Sequence, residues 1–478
     1  MRKRFEQQYV IGQKRIEDVS VDLKCRDAFP KLVMALKKLY TTPEYNEHIF
    51  NALENKIVKG KKKTGRPGMG LWVLFVLAQT RLCLDISYDR LYHMANYDTL
   101  FRQVMGIETE HAFERIMVEY QNIVDNVSLL DDSTLVKINE TIVKMGHDTF
   151  KKKEMEALRL KTDSFVVESN VHFPTDYNLL WDSARKCSDV LRYFTKKYPA
   201  TKGWRNLLYW YRGLKNMARA IAQSGKKSDE KKREIVSGYL EKASLFSQKI
   251  KNGKDSLSII DEMDLIKHLD LDYYLQMLDK HIDLLERRVI KEEIIPHSEK
   301  LFSIFETYTE WVTKGKQHPN VELGKNVQIT TDQFHLIIDH KVMEHEVDKQ
   351  TVIALSDRIL PRFEVESWSY DKGFYSKENK DLVGLFVKNL VMPKKGKLNK
   401  AEHEQEHQPT FKKLRNKHSA VESNINALES RGLDRCPDRG IRNFKRYIAL
   451  GVCAYNLHRI GAELQKQEKE KQQLKKAA

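Results

Sequence analysis

Asp371 is the residue whose place in the sequence most directly suggests chemistry. It follows a strand predicted for residues 363–368, and Gly373 then lets the backbone turn sharply before a helix predicted to begin near Ser376. A carboxylate at the end of a strand, held by a tight turn, has a fixed direction in which it can bind a metal ion. Asp371 alone would be a weak indication of a metal site.

Two further acids complete a set of three possible metal ligands. Asp163 lies in a strand predicted for residues 162–169, and Glu422 lies beside the apolar stripe of a helix predicted for residues 410–429. Three carboxylates without His or Cys suit a hard cation such as Mg²⁺ or Mn²⁺. Two such ions can assist displacement at a phosphodiester, so the set predicts chemistry on a nucleic acid.

Other acids compete for the same roles. Asp339 and Asp357 are alternatives for the second ligand, and Glu429 is an alternative for the third. The chain contains 67 Asp and Glu residues, so each acid taken separately is more often a surface charge than a ligand. Spacing alone therefore leaves the choice open.

The elements that would position these acids alternate between helices and short strands, which predicts a helix-rich mixed α/β fold. At 478 residues the chain is long enough for two or more domains. We expect a helical N-terminal DNA-binding region at residues 1–150, the first strands of a catalytic core at 151–180 and a helical insertion at 181–315. The rest of the core would occupy residues 316–462, followed by a charged flexible tail at 463–478.

Hydrophobic periodicity predicts the individual elements. Helices are expected at residues 27–40, 71–84, 87–95, 349–360, 377–386, 410–429 and 441–465, with further helices between 178 and 314. Strands are expected at residues 162–169, 327–330, 334–342, 363–368 and 389–392. In the insertion, Tyr239, Ala243, Phe246 and Ile250 have the spacing of one buried helix face. The aromatic residues around Trp210 fit either a helix core or stacking on bases, and we expect the core.

The chain is strongly basic, with a formal net charge of +16, which favours a polyanionic partner such as nucleic acid. The excess is densest near residues 56–66 and after Pro393. Side chains of Lys and Arg in such segments contact phosphates in protein–DNA complexes. The residues expected to contact DNA are Lys61, Lys62, Lys63, Arg66, Lys372, Lys394, Lys395, Arg415 and His418.

The cysteines and the apolar segments point to a reducing compartment. Five cysteines lie far apart without the spacing of a zinc site, so neither a disulfide framework nor a structural zinc is predicted. The N-terminus lacks the apolar core of a signal peptide, and the most apolar stretch, residues 71–84, is too short to span a bilayer. We expect a cytoplasmic protein with no membrane partner, associated with the nucleoid when bound to DNA.

Three segments resemble the acidic motifs of bacterial insertion-sequence DDE transposases, in particular those of the ISNCY-like group. They are residues 161–176, which end in an HxPTD stretch, residues 370–375, which contain the sequence DKGF, and residues 418–429. Residues 65–97 and 432–440 resemble the N-terminal and C-terminal parts of the same enzymes. The resemblance therefore extends, in order, over most of the chain.

This resemblance implies a ribonuclease-H-like catalytic core interrupted by the helical insertion. It also implies that Asp163, Asp371 and Glu422 hold two Mg²⁺ or Mn²⁺ ions. The implied reaction cuts double-stranded DNA at the terminal inverted repeats of the element, and the freed 3′-hydroxyl then attacks target DNA. A homodimer on the DNA is implied because two ends must be held together.

The surroundings of Glu422 depart from the resemblance. Related enzymes often have a Tyr-x2-Arg-x3-Glu-x6-Lys signature, and here Arg415, His418 and Glu429 occupy the other three positions. If residues 410–429 form one helix, these side chains lie along the same edge as Glu422. Two other functions stay open: a catalytically silent or domesticated relative that binds DNA, and a Mg²⁺-dependent DNA nuclease without strand transfer.

Overall fold

The computed structural model describes residues 2, 4, 13–60, 68–109, 116–201, 203–204, 206–313 and 321–477. The basic residues Lys61, Lys62, Lys63 and Arg66, which we expected to contact DNA, lie outside the described residues. The chain divides into two compact units. Unit 1 comprises Met1–Asn170 and Val312–Ala478, and unit 2 comprises Val171–Trp311. The helical insertion was expected over residues 181–315.

The described helices and strands alternate in a helix-rich α/β pattern, as predicted. The helices are α1 (Ala28–Thr41), α2 (Pro43–Ile57), α3 (Leu71–Cys83), α4 (Tyr88–Tyr97), α5 (Thr99–Met105), α6 (Tyr120–Val127), α7 (Asp132–Thr149), α8 (Asp176–Lys197), α9 (Leu207–Ala222), α10 (Asp229–Gly253), α11 (Glu262–Leu285), α12 (Asp348–Ile359), α13 (Lys377–Gly384), α14 (Lys400–His407), α15 (Pro409–His418), α16 (Ala420–Leu428) and α17 (Ile441–Ala477). The strands are β1 (Leu158–Ser169), β2 (Glu310–Thr313), β3 (Val321–Thr331), β4 (Ile337–Val342), β5 (Val365–Tyr370), β6 (Asn389–Val391) and β7 (Arg435–Cys436).

The strands form one mixed sheet with β1 in its interior. On one side β1 pairs antiparallel with β3, which in turn pairs antiparallel with β4. On the other side β1 pairs parallel with β5, and β5 pairs parallel with β6. Short pairings of β2 with β3 and of β7 with the end of β1 complete the sheet.

The two faces of β1 and β5 carry different side chains because side chains alternate along a strand. On one face the Trp368 indole donates to Thr162 Oγ1 at 2.8 Å, and both residues are buried. The apolar side of α12 belongs to the same buried cluster. The opposite face carries Lys161 and Asp163 from β1 together with Ser369 from β5. Helix α16 packs on β1 and α15 packs on β5 and β6.

A buried amide network joins the helices before the sheet to the last helix. The Asn456 side chain in α17 accepts from Ile337 N at 2.9 Å and donates to Ile337 O at 2.9 Å, so it pairs with β4 as another strand would. The same amide nitrogen donates to Asn139 Oδ1 in α7 at 2.8 Å, and Asn139 donates to Ile337 O at 3.0 Å. The N-terminal helices therefore belong to the same compact unit as the sheet.

Several predicted boundaries were right, and the physical signals behind them are visible. Asp27 and Ser87 cap α1 and α4, because their side chains accept hydrogen bonds from amides of the first turn. Other elements differ from expectation. The strand expected at 162–169 begins at Leu158, and the helix expected to end at 465 continues to Ala477. The segment expected to be a flexible tail is thus helical through residue 477.

Unit 2 is built from α8, α9, α10 and α11. The helix face predicted in α10 is buried, with Tyr239, Ala243, Phe246 and Ile250 all inaccessible to solvent. Trp210 stacks on Phe246 with a centroid distance of 5.6 Å, so its ring belongs to this core, as we expected.

Within the part of the chain that the structure describes, no helix is both long and apolar enough to cross a lipid bilayer.

We predict that Asn456→Ala lowers the free energy of unfolding by about 3 kcal/mol, because it leaves two buried polar groups, the Ile337 amide and Asn139 Oδ1, without their partner. Urea unfolding followed by circular dichroism measures the change. Asn416→Ala is the matched control, since Asn416 is exposed on α15, and it should stay within about 0.5 kcal/mol of the wild type. Equal stability of the two variants would contradict the importance of the network.

Candidate active site

Asp163 and Asp371 each follow a residue of the last pair in the parallel ladder between β1 and β5. Thr162 of β1 pairs with Tyr370 of β5 in parallel register, and each aspartate is the next residue of its chain. Aligned residues of adjacent parallel strands project to the same face, about 5 Å apart. From the sequence we predicted only that each acid is associated with a strand. The register of the two strands explains why the two acids are close together.

Asp348, which the sequence analysis did not select, is a third acid at this place. It is the first residue of α12, and its Oδ1 accepts a hydrogen bond from Ser164 Oγ at 2.8 Å. Its other oxygen faces the turn after Asp371: a Cβ built on Gly373 would lie 2.7 Å from Asp348 Oδ2. Burial raises the pKa of Asp348, and the charge of Asp371 adds to this.

The close approach to Asp348 corrects our reason for Gly373. We expected the glycine to permit a sharp backbone turn, and residues Lys372–Phe374 do form a single 3₁₀ turn. The φ of Gly373 is not positive, however, so other residues could adopt this backbone conformation. A glycine is needed because a side chain would displace the Asp348 carboxylate. As predicted, Ser376 caps the helix that follows.

The electrostatics of Asp163 show that these acids interact. Burial raises the pKa of Asp163 to about 7, and the charges of Asp371, Asp348 and Glu422 act in the same direction. The Ser164 amide donates to Asp163 Oδ1 at 2.7 Å and opposes the rise. The side chain of Asp163 is only partly accessible, whereas Asp371 and Glu422 are exposed. Four carboxylates therefore share one region of the protein.

Glu422 reaches this region because α16 is anchored through its buried side. Val421, Asn424 and Ile425 are buried, and Asn424 Oδ1 accepts from the Tyr455 hydroxyl of α17 at 3.0 Å. The helix expected at 410–429 is interrupted at Ser419, which separates α15 from α16. Arg415 and His418 thus belong to α15 and Glu422 to α16, so the expectation of one continuous helix was wrong.

The donor atoms fit a hard cation by their chemistry, since the site offers carboxylate oxygens only. Their positions do not yet form a closed set of ligands. Among the described residues, no group of three or more His, Cys, Asp or Glu side chains is arranged to hold a metal ion.

The competing acids have other surroundings. Asp339 forms a paired contact with Arg358, with distances of 3.1 and 2.8 Å, so its charge is already compensated. Asp357 is exposed on α12, and Glu429 begins a short π-helical segment after α16. None of the three is among the charges that act most strongly on the pKa of Asp163.

The expected DNA-contacting cations near the site fall into two groups. Lys372, Lys395 and Arg415 are exposed and accessible to a phosphate. Lys394 instead donates to both carboxylate oxygens of Glu402 at 2.8 Å and supports the loop before α14.

His418 is not placed as a cation. Its Nδ1 lies 3.0 Å from Ser369 Oγ, and burial lowers the pKa of His418 although the charge of Asp371 opposes the change. The imidazole is therefore neutral near pH 7, and it attaches the end of α15 to β5.

The HxPTD stretch begins unit 2 and has a local role there. The Thr175 side chain accepts from the Asn178 amide and caps α8, and Asp176 forms an ion pair with Arg288 at 2.7 Å. His172 lies 3.3 Å from Asp182 of the same helix.

Comparison of the chain with protein-family models, with curated proteins and with solved structures found no match. The functional interpretation therefore depends on the site itself.

We predict that Asp163→Asn raises the free energy of unfolding of the metal-free protein above about pH 7, by on the order of 2 kcal/mol after allowance for partial exposure. The folded-state pKa of Asp163 is raised to about 7 from an unfolded value of about 4. The carboxyl group therefore contributes its full stability below pH 4 and loses it as the pH rises through 7. The asparagine cannot ionise and lacks this loss.

Urea unfolding of wild type and variant at about pH 5 and pH 8, in the presence of a chelator, checks this prediction. Asp357→Asn is the control, because Asp357 is exposed and lies outside the carboxylate cluster. If the free energies of unfolding of Asp163→Asn and the wild type differ by the same amount at both pH values, ionisation of Asp163 does not destabilise the folded protein.

We also predict that Gly373→Ala lowers the free energy of unfolding by about 1 kcal/mol, because the added methyl group displaces Asp348 from Ser164. Gly384→Ala is the control, since a Cβ there meets only Leu390 at 4.0 Å and an alanine favours the helix. The same denaturation assay applies. A Gly373→Ala protein as stable as the Gly384→Ala protein would show that Asp348 is not held in place by the turn.

Proposed function

We propose that the protein is a DNA transposase of the DDE type, which cuts DNA at the ends of an insertion sequence and joins the freed 3′-hydroxyl to target DNA. The observation that carries this proposal is the register of β1 and β5, which sets Asp163 beside Asp371 within the electrostatic reach of Glu422. The sequence resemblance described above selects the same three acids.

The arrangement of the sheet supports a ribonuclease-H-like core. Five strands run in the order β4, β3, β1, β5, β6, with β3 antiparallel to both of its neighbours and β1, β5 and β6 mutually parallel. This is the order and direction expected of such a core. The first acid lies on the central strand, the second at the end of the neighbouring parallel strand, and the third on a helix packed against the central strand.

Asp163, Asp371 and Glu422 would hold divalent cations, Mg²⁺ or Mn²⁺. When bound, two such ions supply activation of the attacking oxygen and stabilisation of the leaving oxygen. The protein contributes the geometry: β1 and β5 fix two carboxylates, and α16 carries the third. Asp348 acts as a positioning residue, because its hydrogen bond to Ser164 and its contact with the turn at Gly373 fix both ends of the pair.

The partner in this proposal is double-stranded DNA, both the terminal repeats of the element and the target, bound by a homodimer. The formal charge of +16 supports a polyanionic partner. Lys372 follows Asp371 directly, and Arg415 lies on the helix that covers β5, so both exposed cations are near the carboxylates. Each can offset the repulsion between the acids and a DNA phosphate.

We predict that Asp371→Asn lowers strand cleavage at least about a hundredfold while end binding changes less than about threefold, because one ligand is lost and the DNA-binding surface is kept. The substrate is a plasmid with the DNA that flanks the coding region on both sides, incubated with Mg²⁺ or Mn²⁺. Nicked and linear products are measured on gels, and binding is measured by fluorescence anisotropy. Asp357→Asn removes a carboxylate outside the cluster and should cleave like the wild type.

A second reaction separates transposition from simple nucleolysis. Pre-cut ends with a free 3′-hydroxyl are supplied with a supercoiled target, and joined product is expected from the wild type and not from Asp371→Asn. Cleavage without joining would identify a nuclease, and binding without either reaction would identify a silent DNA-binding protein. Full cleavage by Asp371→Asn would overturn the assignment of the site.

A further inference from the structure

A cavity of about 230 Å³ lies on the face of β1 and β5 that carries the aspartates, on the N-terminal side of Asp163 and Asp371. Lys161 and Ser369, which pair with each other, line it, and each stands two residues before an aspartate. Two residues of a strand span about 6.6 Å. The cavity is therefore next to the carboxylates at a distance comparable to the spacing of successive phosphates along a DNA strand.

The lining of the cavity carries three positive charges and no negative one. Arg159 and Lys161 come from β1 and Lys417 from α15. None of these cations forms an ion pair with any residue that the structure describes, whereas many other cations of the chain do. Three like charges around one cavity repel each other, so the arrangement gains stability when an anion enters.

Neutral donors complete the lining. Ser367 of β5 contributes a hydroxyl group, and Asn389 of β6 contributes a side-chain amide that also donates to Glu366 O at 3.3 Å. The hydroxyl of Ser369 is already bonded to His418. Arg159 and Lys417 are exposed, so an anion can reach the cavity from solvent. The volume equals that of about eight water molecules, enough for a phosphate group with part of its sugar but not for a duplex.

We propose that this cavity binds a backbone phosphate of the DNA strand whose neighbouring phosphodiester lies at the carboxylates. The position of the neighbouring phosphodiester at the carboxylates rests on the proposed function, because the carboxylates define which phosphodiester reacts. Arg159 and Lys417 contact the phosphate from the open side and Lys161 from the floor. The DNA strand is thereby held in a fixed position along β1. One phosphate is bound by the cations of the cavity, and the neighbouring phosphodiester lies at the carboxylates.

The experiment measures binding of a short single-stranded oligonucleotide without terminal phosphates, by anisotropy in the presence of a chelator. Arg159→Gln with Lys417→Gln removes two of the three cations, both exposed, so folding is unaffected. Lys412→Gln with Lys413→Gln is the matched control: both are exposed on α15, neither lines the cavity, and the net charge change is the same.

We expect the Arg159/Lys417 pair to weaken binding about tenfold at low salt and to reduce the slope of log affinity against log salt by about one to one and a half. The Lys412/Lys413 pair should change the affinity less than about twofold. Equal weakening by both pairs would mean that only general charge attracts DNA, and no weakening by the first pair would exclude the cavity; either result overturns the proposal.

Inorganic phosphate separates a strand-binding site from a free-phosphate site. Millimolar phosphate at constant ionic strength should compete weakly with the oligonucleotide, since it lacks contacts beyond the cavity. Displacement at micromolar phosphate would show that the cavity is a free-phosphate site and would overturn the proposal. Because no cleavage is measured, these results stand apart from those of the Asp371 variant: a protein that never cuts DNA can still bind it here, and a cutting protein can lack this contact.

Discussion

The parallel pairing of β1 with β5 is the constraint on which the rest of the site depends. Because Thr162 pairs with Tyr370, the sheet cannot form without bringing Asp163 beside Asp371. The two negative charges repel each other, and the partial burial of Asp163 makes this repulsion stronger than it would be in water. This repulsion destabilises the fold, but the same two charges concentrate negative potential at one point of the surface. A cation-binding site needs this property.

The same face of the sheet carries the opposite charge one level earlier. Lys161 precedes Asp163 by two residues, so strand geometry forces both side chains onto one face, and Arg159 and Lys417 extend the positive region. A phosphodiester strand is itself an anion and would be repelled by the carboxylates alone. In the proposed reaction the positive region would remove this difficulty, because the cations would attract one phosphate of the strand while the reacting phosphodiester lies beside the carboxylates. The two charged regions are thus complementary parts of one arrangement.

Asp163, Asp371 and Glu422 could be selected from the sequence because the signals that indicate them are local. A strand followed by an aspartate and a tight turn, and a glutamate beside an apolar stripe, can be read from neighbouring residues. Asp348 could not be found in this way, because an acid in the first turn of a helix is common for reasons unrelated to any site. Its importance comes from two long-range contacts, with Ser164 and Gly373, that only the folded chain brings together. The paired states of Asp339 and Lys394 depend on tertiary contacts in the same way.

The interruption at Ser419 cannot be seen in the apolar pattern of the sequence. The buried residues Phe411, Val421 and Ile425 keep helical spacing on both sides of the break, so the sequence reads as one helix. A single straight helix would carry His418 and Glu422 one turn apart along one axis. In the fold, however, α15 packs on β5 and β6, where His418 bonds to Ser369, and α16, which carries Glu422, packs on β1. A single residue, Ser419, separates the helix that carries the histidine from the helix that carries the glutamate.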